Sequence, residues 1–476
     1  MKPIIKRLVA GVIAFVGLIL VTGLATLTRV DDRPFSELPE LAGSLNQLQT
    51  SSTATDSEPE PGRAPALLRA GFSRVKLTPT LGSREDAPER GEFRFLPLAG
   101  YGNRKGKPAE GIHDDIWVKA IALVSGGKTG VVVCADALII PREVTAMAMD
   151  ELGRKVGLTR EQVYFSATHT HCSLGGWGEG LVGESFAGPF QPAVRVWFSQ
   201  QLAAAASEAL KDLKPSRLGT SSFDAPQFIR NRLVGDRGRV DSEFALVLVR
   251  QDSGVTAVLG SYGAHATIMG GGTLQFSAEY PGAWQRAIEH ATGGLALFAA
   301  GGVGSHGHKA PKGGFEGVEA MGQALAQETL KRLPDIALTN ALQFDVLGLK
   351  LQLPQLQTRV SSRLRLHPWV AARLLPVGQD TFLQGFRLGQ TIWLSTPCDF
   401  SGELALDLKA EYSARGTKTV VTSFNGDYVG YVIPATYYNL GGYEPQTMSF
   451  FGPQVPDYFM EALRRISTSL MKRSGP

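Results

Sequence analysis

The chain has 476 residues, of which 43% are apolar and 19% charged, the balance of a folded globular protein long enough for one big domain or two to three ordinary ones. A net charge of +4, without a Lys/Arg face interleaved with aromatics, argues against nucleic acid as a partner. With 55 glycines and 27 prolines the fold must contain many turns.

Lys2, Lys6 and Arg7 precede an uncharged apolar run over residues 8–27, about the length that spans a bilayer as a helix. The positive flank stays in the cytoplasm, so residues 1–29 read as a signal anchor, a transmembrane helix that leaves the rest exported, periplasmic or extracellular. A cleaved signal peptide is the rival, because Gly23 and Ala25 lie near the end of the run, although it is long for an h-region. Residues 50–65 are rich in Ser, Thr, Pro and acid, and a flexible spacer is expected over 30–66. Cys134, Cys172 and Cys398 give no disulfide framework: in an exported chain at least one thiol stays free unless it pairs between chains.

Residues 70–79 alternate like a first strand and stop at a proline. The stretch G-I-H-D-D-I-W-V-K-A enters a second strand ending near Val124, and G-V-V-V-C-A at 130–135 is a fully apolar strand of buried type, with Asp136 at its carboxyl end. A helix follows at 143–156. The centre of the chain is V-Y-F-S-A-T-H-T-H-C-S-L-G-G, residues 163–176. If the strand runs on, His169 and His171 project to one side, where two imidazoles can share a metal or divide metal and substrate between them. The plainer alternative is one buried and one exposed histidine at a strand end. Strand, helix, strand in this order indicates α/β layering.

An Ala-rich helix is expected at 193–213, then a loop at 228–233 holding Arg230, Asn231 and Arg232. The strand at 255–262 ends in G-A-H-A-T, so His265 sits just past a strand, the rim where α/β folds place their chemistry. A helix runs through 291, and the strand at 295–300 empties into a glycine-rich turn carrying Ser305, His306 and His308. Glycine there lets a backbone approach a ligand closely, but the Walker spacing is absent. His306 and His308 read as loop residues, extra ligands or a general base. After a helix at 318–333 and a strand at 341–353, a hairpin arm at 386–394 reaches T-P-C-D-F, where Asp399 is either a functional carboxylate or the cap of a helix at 402–414. A strand at 420–424, the turns D-Y-V-G-Y and G-G-Y-E, and a helix at 457–471 complete the chain. Cys172 and Cys398 read as packing beside a site, with a thiolate nucleophile as the alternative.

Taken together, the ordered set G-I-H-D-D-I-W-V-K-A, V-V-V-C-A-D, A-T-H-T-H, Asn231-Arg232, G-A-H-A-T, the glycine turn after Phe298, T-P-C-D-F-S-G-E-L, D-Y-V-G-Y, G-G-Y-E and F-F-G-P resembles the neutral (non-lysosomal) ceramidase family over residues 70–465. The resemblance implies a zinc amidase that cuts the N-acyl bond of ceramide. It places the Zn2+ ligands at His169, His265, Asp399 (where the family usually has Glu) and Tyr431, with His171, Arg232 and Tyr443 around the scissile amide and its oxyanion. The chain departs from the family at the glycine turn, where the family's serine falls on Gly307; Ser305, His306 or His308 would then act in its place. It also implies a single catalytic domain over 67–476, without the further β-sandwich domain many members carry.

The expected fold is therefore α/β, with layered mixed sheets, flanking helices and the metal site at strand ends. The expected function is zinc-dependent hydrolysis of ceramide or a related N-acyl lipid, the membrane being engaged through the N-terminal helix. A zinc hydrolase of another amide or ester on the same scaffold, and a non-catalytic exported lipid-binding protein, are the alternatives.

Overall fold

The computed structural model describes residues 23, 25–51, 67–375 and 377–472. Eight strands, β1 (Arg69–Lys76), β2 (Trp117–Ser125), β3 (Lys128–Ala135), β4 (Val163–Ala167), β5 (Lys214–Asp224), β6 (Glu243–Gln251), β7 (Thr256–Tyr262) and β8 (Leu295–Ala300), form one mixed sheet in the order β8-β7-β6-β5-β1-β2-β3-β4. A second sheet joins β9 (Phe344–Gln352), β10 (Asp380–Leu388), β11 (Thr391–Ser395) and β12 (Lys418–Thr422) in chain order.

Three adjacent pairs are parallel: β3 with β4, β7 with β8, and β11 with β12. A parallel pair needs a crossover, and in each case it contains a helix: α1 (Arg142–Val156) for the first; α3 (Glu279–Thr292) for the second, numbered after α2 (Pro192–Lys211); and, beyond α4 (Gly314–Arg332), α5 (Gly402–Ser413) for the third. The carboxyl ends of these βαβ units deliver His169 and His171 after β4, His265 after β7 and Asp399 after β11.

Alternation along the strands divides the core into layers. On β3, Val131, Val133 and Ala135 pack with α1 and α2, while Val132 and Cys134 join Phe386 and Trp393 of the second sheet. Burial on both faces explains why this strand carries no polar residue over 130–135. The other half of the large sheet packs on α3 and α4, through Phe244, Trp284 and Met321 among others. The outer face of the second sheet packs on α5 and on α6 (Val455–Lys472). The result is a four-layer α-β-β-α arrangement with mixed sheets, as expected.

Several expectations are corrected. Within the expected spacer, a helix at Pro39–Ser51 buries Leu41 and Leu45 against the second sheet, and Leu27–Arg29, at the end of the expected anchor, pairs with Leu364–Leu366. The spacing of Leu38, Leu41 and Leu45 is that of one helix face. The rest of the expected spacer, 52–66, lies outside the described residues, as does nearly all of the apolar run. Among the described residues no helix is long and apolar enough to cross a membrane. Strands β5 and β6 were not expected. The expected loops at 228–233 and 306–308 instead contain a short antiparallel pair, Ile229–Asn231 with His306–His308.

Candidate metal centre

Strand β4 ends at Ala167, and His169 does not continue it: its φ is +62°, so the chain turns there instead of alternating. Phe424, also left-handed with φ +64°, stacks on the His169 ring at 4.1 Å. Two strained residues in contact are held by their surroundings, as is common where function sets geometry. The turn is fixed by Thr170 Oγ1, which donates to the Ser277 carbonyl (2.7 Å), and by the buried Arg104, whose guanidinium donates to the carbonyls of Ala99 (2.8 Å) and His171 (2.6 Å).

His265 follows β7, and its loop is anchored by the fully buried Glu279. That carboxylate accepts the N–H groups of Ile268, Met269 (3.1 Å) and Tyr280 (2.9 Å), and the Tyr280 hydroxyl donates to the Ala264 carbonyl. Burial pushes the Glu279 pKa from 4.5 to about 7, against those N–H donors. The folded state thus holds this proton more tightly than the unfolded chain. The stabilisation it brings is complete below about pH 4 and is lost as pH rises through about 7. The stability gap between the wild type and Glu279→Gln should narrow by about 3 kcal/mol across that window in urea denaturation; a gap independent of pH would contradict the assignment.

The Nδ1 atoms of the three histidines face carbonyl oxygens: His169 to Leu138 (2.7 Å), His171 to Gly100 (3.1 Å) and His265 to Val303 (3.4 Å). An N–H on each Nδ1 satisfies those carbonyls and leaves each Nε2 with a bare lone pair. The three Nε2 atoms converge, 2.9, 3.1 and 3.3 Å apart. Asp399 Oδ1 lies 3.4 Å from the His169 Nε2 and is buried with no hydrogen-bond partner among the described residues, while Oδ2 accepts from the Tyr428 hydroxyl at 2.8 Å. The His169–Asp399 contact is not a salt bridge. Burial, with Arg232 nearby, lowers the His169 pKa to about 3, and burial first and foremost holds His171 and His265 well below the usual imidazole range. Three imidazole lone pairs converging beside a carboxylate form a group that could hold a metal ion. Nitrogens on a tetrahedral zinc, at bonds of about 2.0–2.1 Å, are about 3.3 Å apart, so the spacing fits such an ion. Burial pushes the Asp399 carboxyl up to about 7, against the hydrogen bond from Tyr428.

These groups line a cavity of about 420 Å³ together with Arg232, Tyr428, Tyr431 and Tyr443. The half-buried Arg232 guanidinium donates to the Tyr431 hydroxyl (2.9 Å), and its Nε lies 3.4 Å from the Glu444 carboxylate. Tyr443 is 55% exposed and packs edge-on against Tyr431, which makes it a rim residue.

Of the expected site residues, the structure brings together His169, His171, His265, Asp399, Arg232, Tyr431 and Tyr443. It does not bring Ser305, His306 or His308 to the cavity. Ser305 Oγ accepts from Ser401 Oγ (2.9 Å), and its carbonyl accepts the Arg232 N–H (2.9 Å). The buried His306 reaches the Arg239 carbonyl at 3.2 Å, and His308 is paired with Ile229. The strand pairing that holds Arg232 in place is what turns these side chains away.

The glycine turn packs backbone against backbone. A Cβ on Gly304 would come within 2.3 Å of the Asp399 carbonyl oxygen. Gly304→Ala should therefore displace Asp399 and weaken metal affinity about 10- to 100-fold, the range for supports of metal ligands; unchanged affinity in a metal-competition titration would refute this role. All three cysteines are free and buried, and burial raises the Cys172 thiol to about 12, which disfavours the nucleophile reading. Tyr428, Arg104, Glu279 and Glu444 escaped the sequence reading. Tyr428 lies in the same D-Y-V-G-Y turn as Tyr431, whereas the others carry no local signal.

No family model matches the sequence, and no curated protein matches it. Solved structures do. A neutral ceramidase from Pseudomonas aeruginosa superposes with a TM-score of 0.69 at 20% identity, over 86% of this chain and 75% of that one. The chain has the neutral ceramidase fold. A structure described as a ceramidase complexed with C2 matches with a TM-score of 0.69 at 18% identity, again over 86% of this chain and 75% of that one. The neutral ceramidase fold thus accounts for most of the chain.

Proposed function

We propose that this chain is a metal-dependent amidohydrolase that cleaves the N-acyl amide of ceramide or a related N-acyl lipid. The observation that carries this reading is the set of three unprotonated imidazole nitrogens and one unpartnered carboxylate oxygen converging in a cavity of the neutral ceramidase fold. The donor set, nitrogen from His169, His171 and His265 and oxygen from Asp399, suits zinc, and Tyr431 adds an oxygen in the same cavity. His171, expected from the sequence beside the amide, joins the donors in this assignment.

Zinc held there supplies Lewis acidity, polarising the amide carbonyl and making water acidic enough to attack at neutral pH. The chain's own groups do the rest. Arg232, a cation that cannot lose its proton, is aimed at the cavity and stabilises negative charge developing on the amide oxygen. Its hydrogen bond to Tyr431 also fixes that phenol, and Tyr428 holds Asp399 in one orientation. Tyr443 at the rim contacts the group entering the cavity.

The apolar run at 8–27, with Lys2, Lys6 and Arg7 before it, supports export of the domain with retention at a membrane, where a lipid substrate resides. One observation favours a variant reading, hydrolysis of another amide or an ester: Gly307 stands where the family has serine, and Ser305 faces away from the cavity. A substrate panel of short-chain ceramide, N-acyl amino acids and fatty esters tests this. The proposal expects fatty acid release from the ceramide to exceed the others at least tenfold; preference for an ester would overturn the amide assignment.

A further inference from the structure

A second chamber of about 530 Å³ adjoins the histidine cavity, and Ile139, Phe186 and Tyr428 line both. It opens between two short helices in contact, Gly180–Ala187 and Pro368–Leu374: Val182 and Phe186 of the first and Leu375 and Val377 just beyond the second form its walls. Charged residues, among them Arg142, Glu143, Glu179 and Arg195, also line it, and exposed apolar side chains stand on the two helices beside it. Leu181 is 79% exposed, Trp369 49% and Leu374 37%. The guanidinium of Arg373 sits 5.7 Å from the Trp369 ring, and Arg29 and Arg363 are exposed nearby in the chain pairing of this region.

The N-terminal segment joins the domain next to the second of these helices. Leu27 pairs with Leu366, and the N–H of His367 donates to the Thr26 carbonyl at 2.7 Å, immediately before the helix that carries Trp369. Leu27, the last residue of the apolar run, is therefore held beside the start of that helix.

We infer that this rim is a membrane-docking face: Leu181, Trp369 and Leu374 enter the lipid interface, exposed arginines meet anionic headgroups, and the chamber admits a lipid chain directly from the bilayer. The inference rests on the proposed lipid substrate for the purpose of the chamber, and on the end of the apolar run for its occupant. Tryptophan beside arginine suits the interface, where an amphipathic ring and a charged head are both satisfied, and basic residues are attracted to an anionic surface. Exposed apolar residues grouped at the mouth of a cavity are otherwise a liability for a chain in water.

The test uses the full-length chain with Leu181→Cys or Trp369→Cys carrying an environment-sensitive fluorophore, and Gln327→Cys on the exposed side of α4 as reference; the native cysteines are buried. After reconstitution into phosphatidylcholine vesicles containing phosphatidylglycerol, the labels at 181 and 369 should shift to the blue and be quenched by nitroxide-bearing lipid at least threefold more than the label at 327. Equal behaviour at all three positions, whether water-like or shifted, overturns the inference. The readout needs no turnover. Docking without amide cleavage would uphold the face and refute the proposed function, and cleavage without docking would do the reverse.

Discussion

Replacing His265 with alanine is expected to reduce bound metal from near one ion per chain to less than a tenth and to lower kcat/KM at least about a thousandfold. The expectation follows from the way the site is built. Three Nε2 atoms within 3.3 Å of one another have their protons committed to Nδ1, so each is a donor with no other partner of suitable chemistry. Removing one takes away a nitrogen donor, weakens the hold on the ion and leaves the remaining lone pairs opposed. His308→Ala is the comparison: this histidine lies outside the cavity, so its loss should leave metal content unchanged. Retention of metal by His265→Ala, or equal loss from both variants, would contradict the assignment.

Arg232→Met is expected to keep the metal but to lower kcat by about 10²- to 10³-fold with little change in KM, corresponding to about 3–4 kcal/mol of stabilisation made only as charge develops on the substrate oxygen. The guanidinium is half-buried, bonded to Tyr431 and close to Glu444, so the variant should also lose stability, since a half-buried carboxylate is left without its cation. Steady-state kinetics with metal analysis separates the two effects. A kcat within threefold of the wild type would remove Arg232 from the chemistry and leave it a structural role.

The layered α/β class and the strand-end position of the site were legible because β3, β4, β7 and β8 are short apolar runs that stop at glycine, histidine or aspartate, a pattern buried parallel strands share. The positions of His265 and Asp399 just past strands were legible for the same reason. The relation of His169 to His171 was legible only in outcome. Alternation placed them on one side, whereas a left-handed turn at His169 does so in the structure, and no spacing announces a positive φ at a histidine. The roles expected of Ser305, His306 and His308 failed because orientation there depends on pairing with Ile229–Asn231, residues more than seventy positions away. Residues 30–51 were read by composition as part of a spacer, although Leu38, Leu41 and Leu45 already held the helical period that docks them. Glu279, Arg104 and Glu444 act through contacts that only the tertiary fold creates.

The most direct test of the metal-centred account is the metal content of the purified full-length chain, measured on the same sample as fatty acid release from a short-chain ceramide. The account predicts close to one zinc per chain, with release abolished by a chelator and restored by added zinc. A chain that contains no metal and releases fatty acid equally well in the presence of chelator would contradict it.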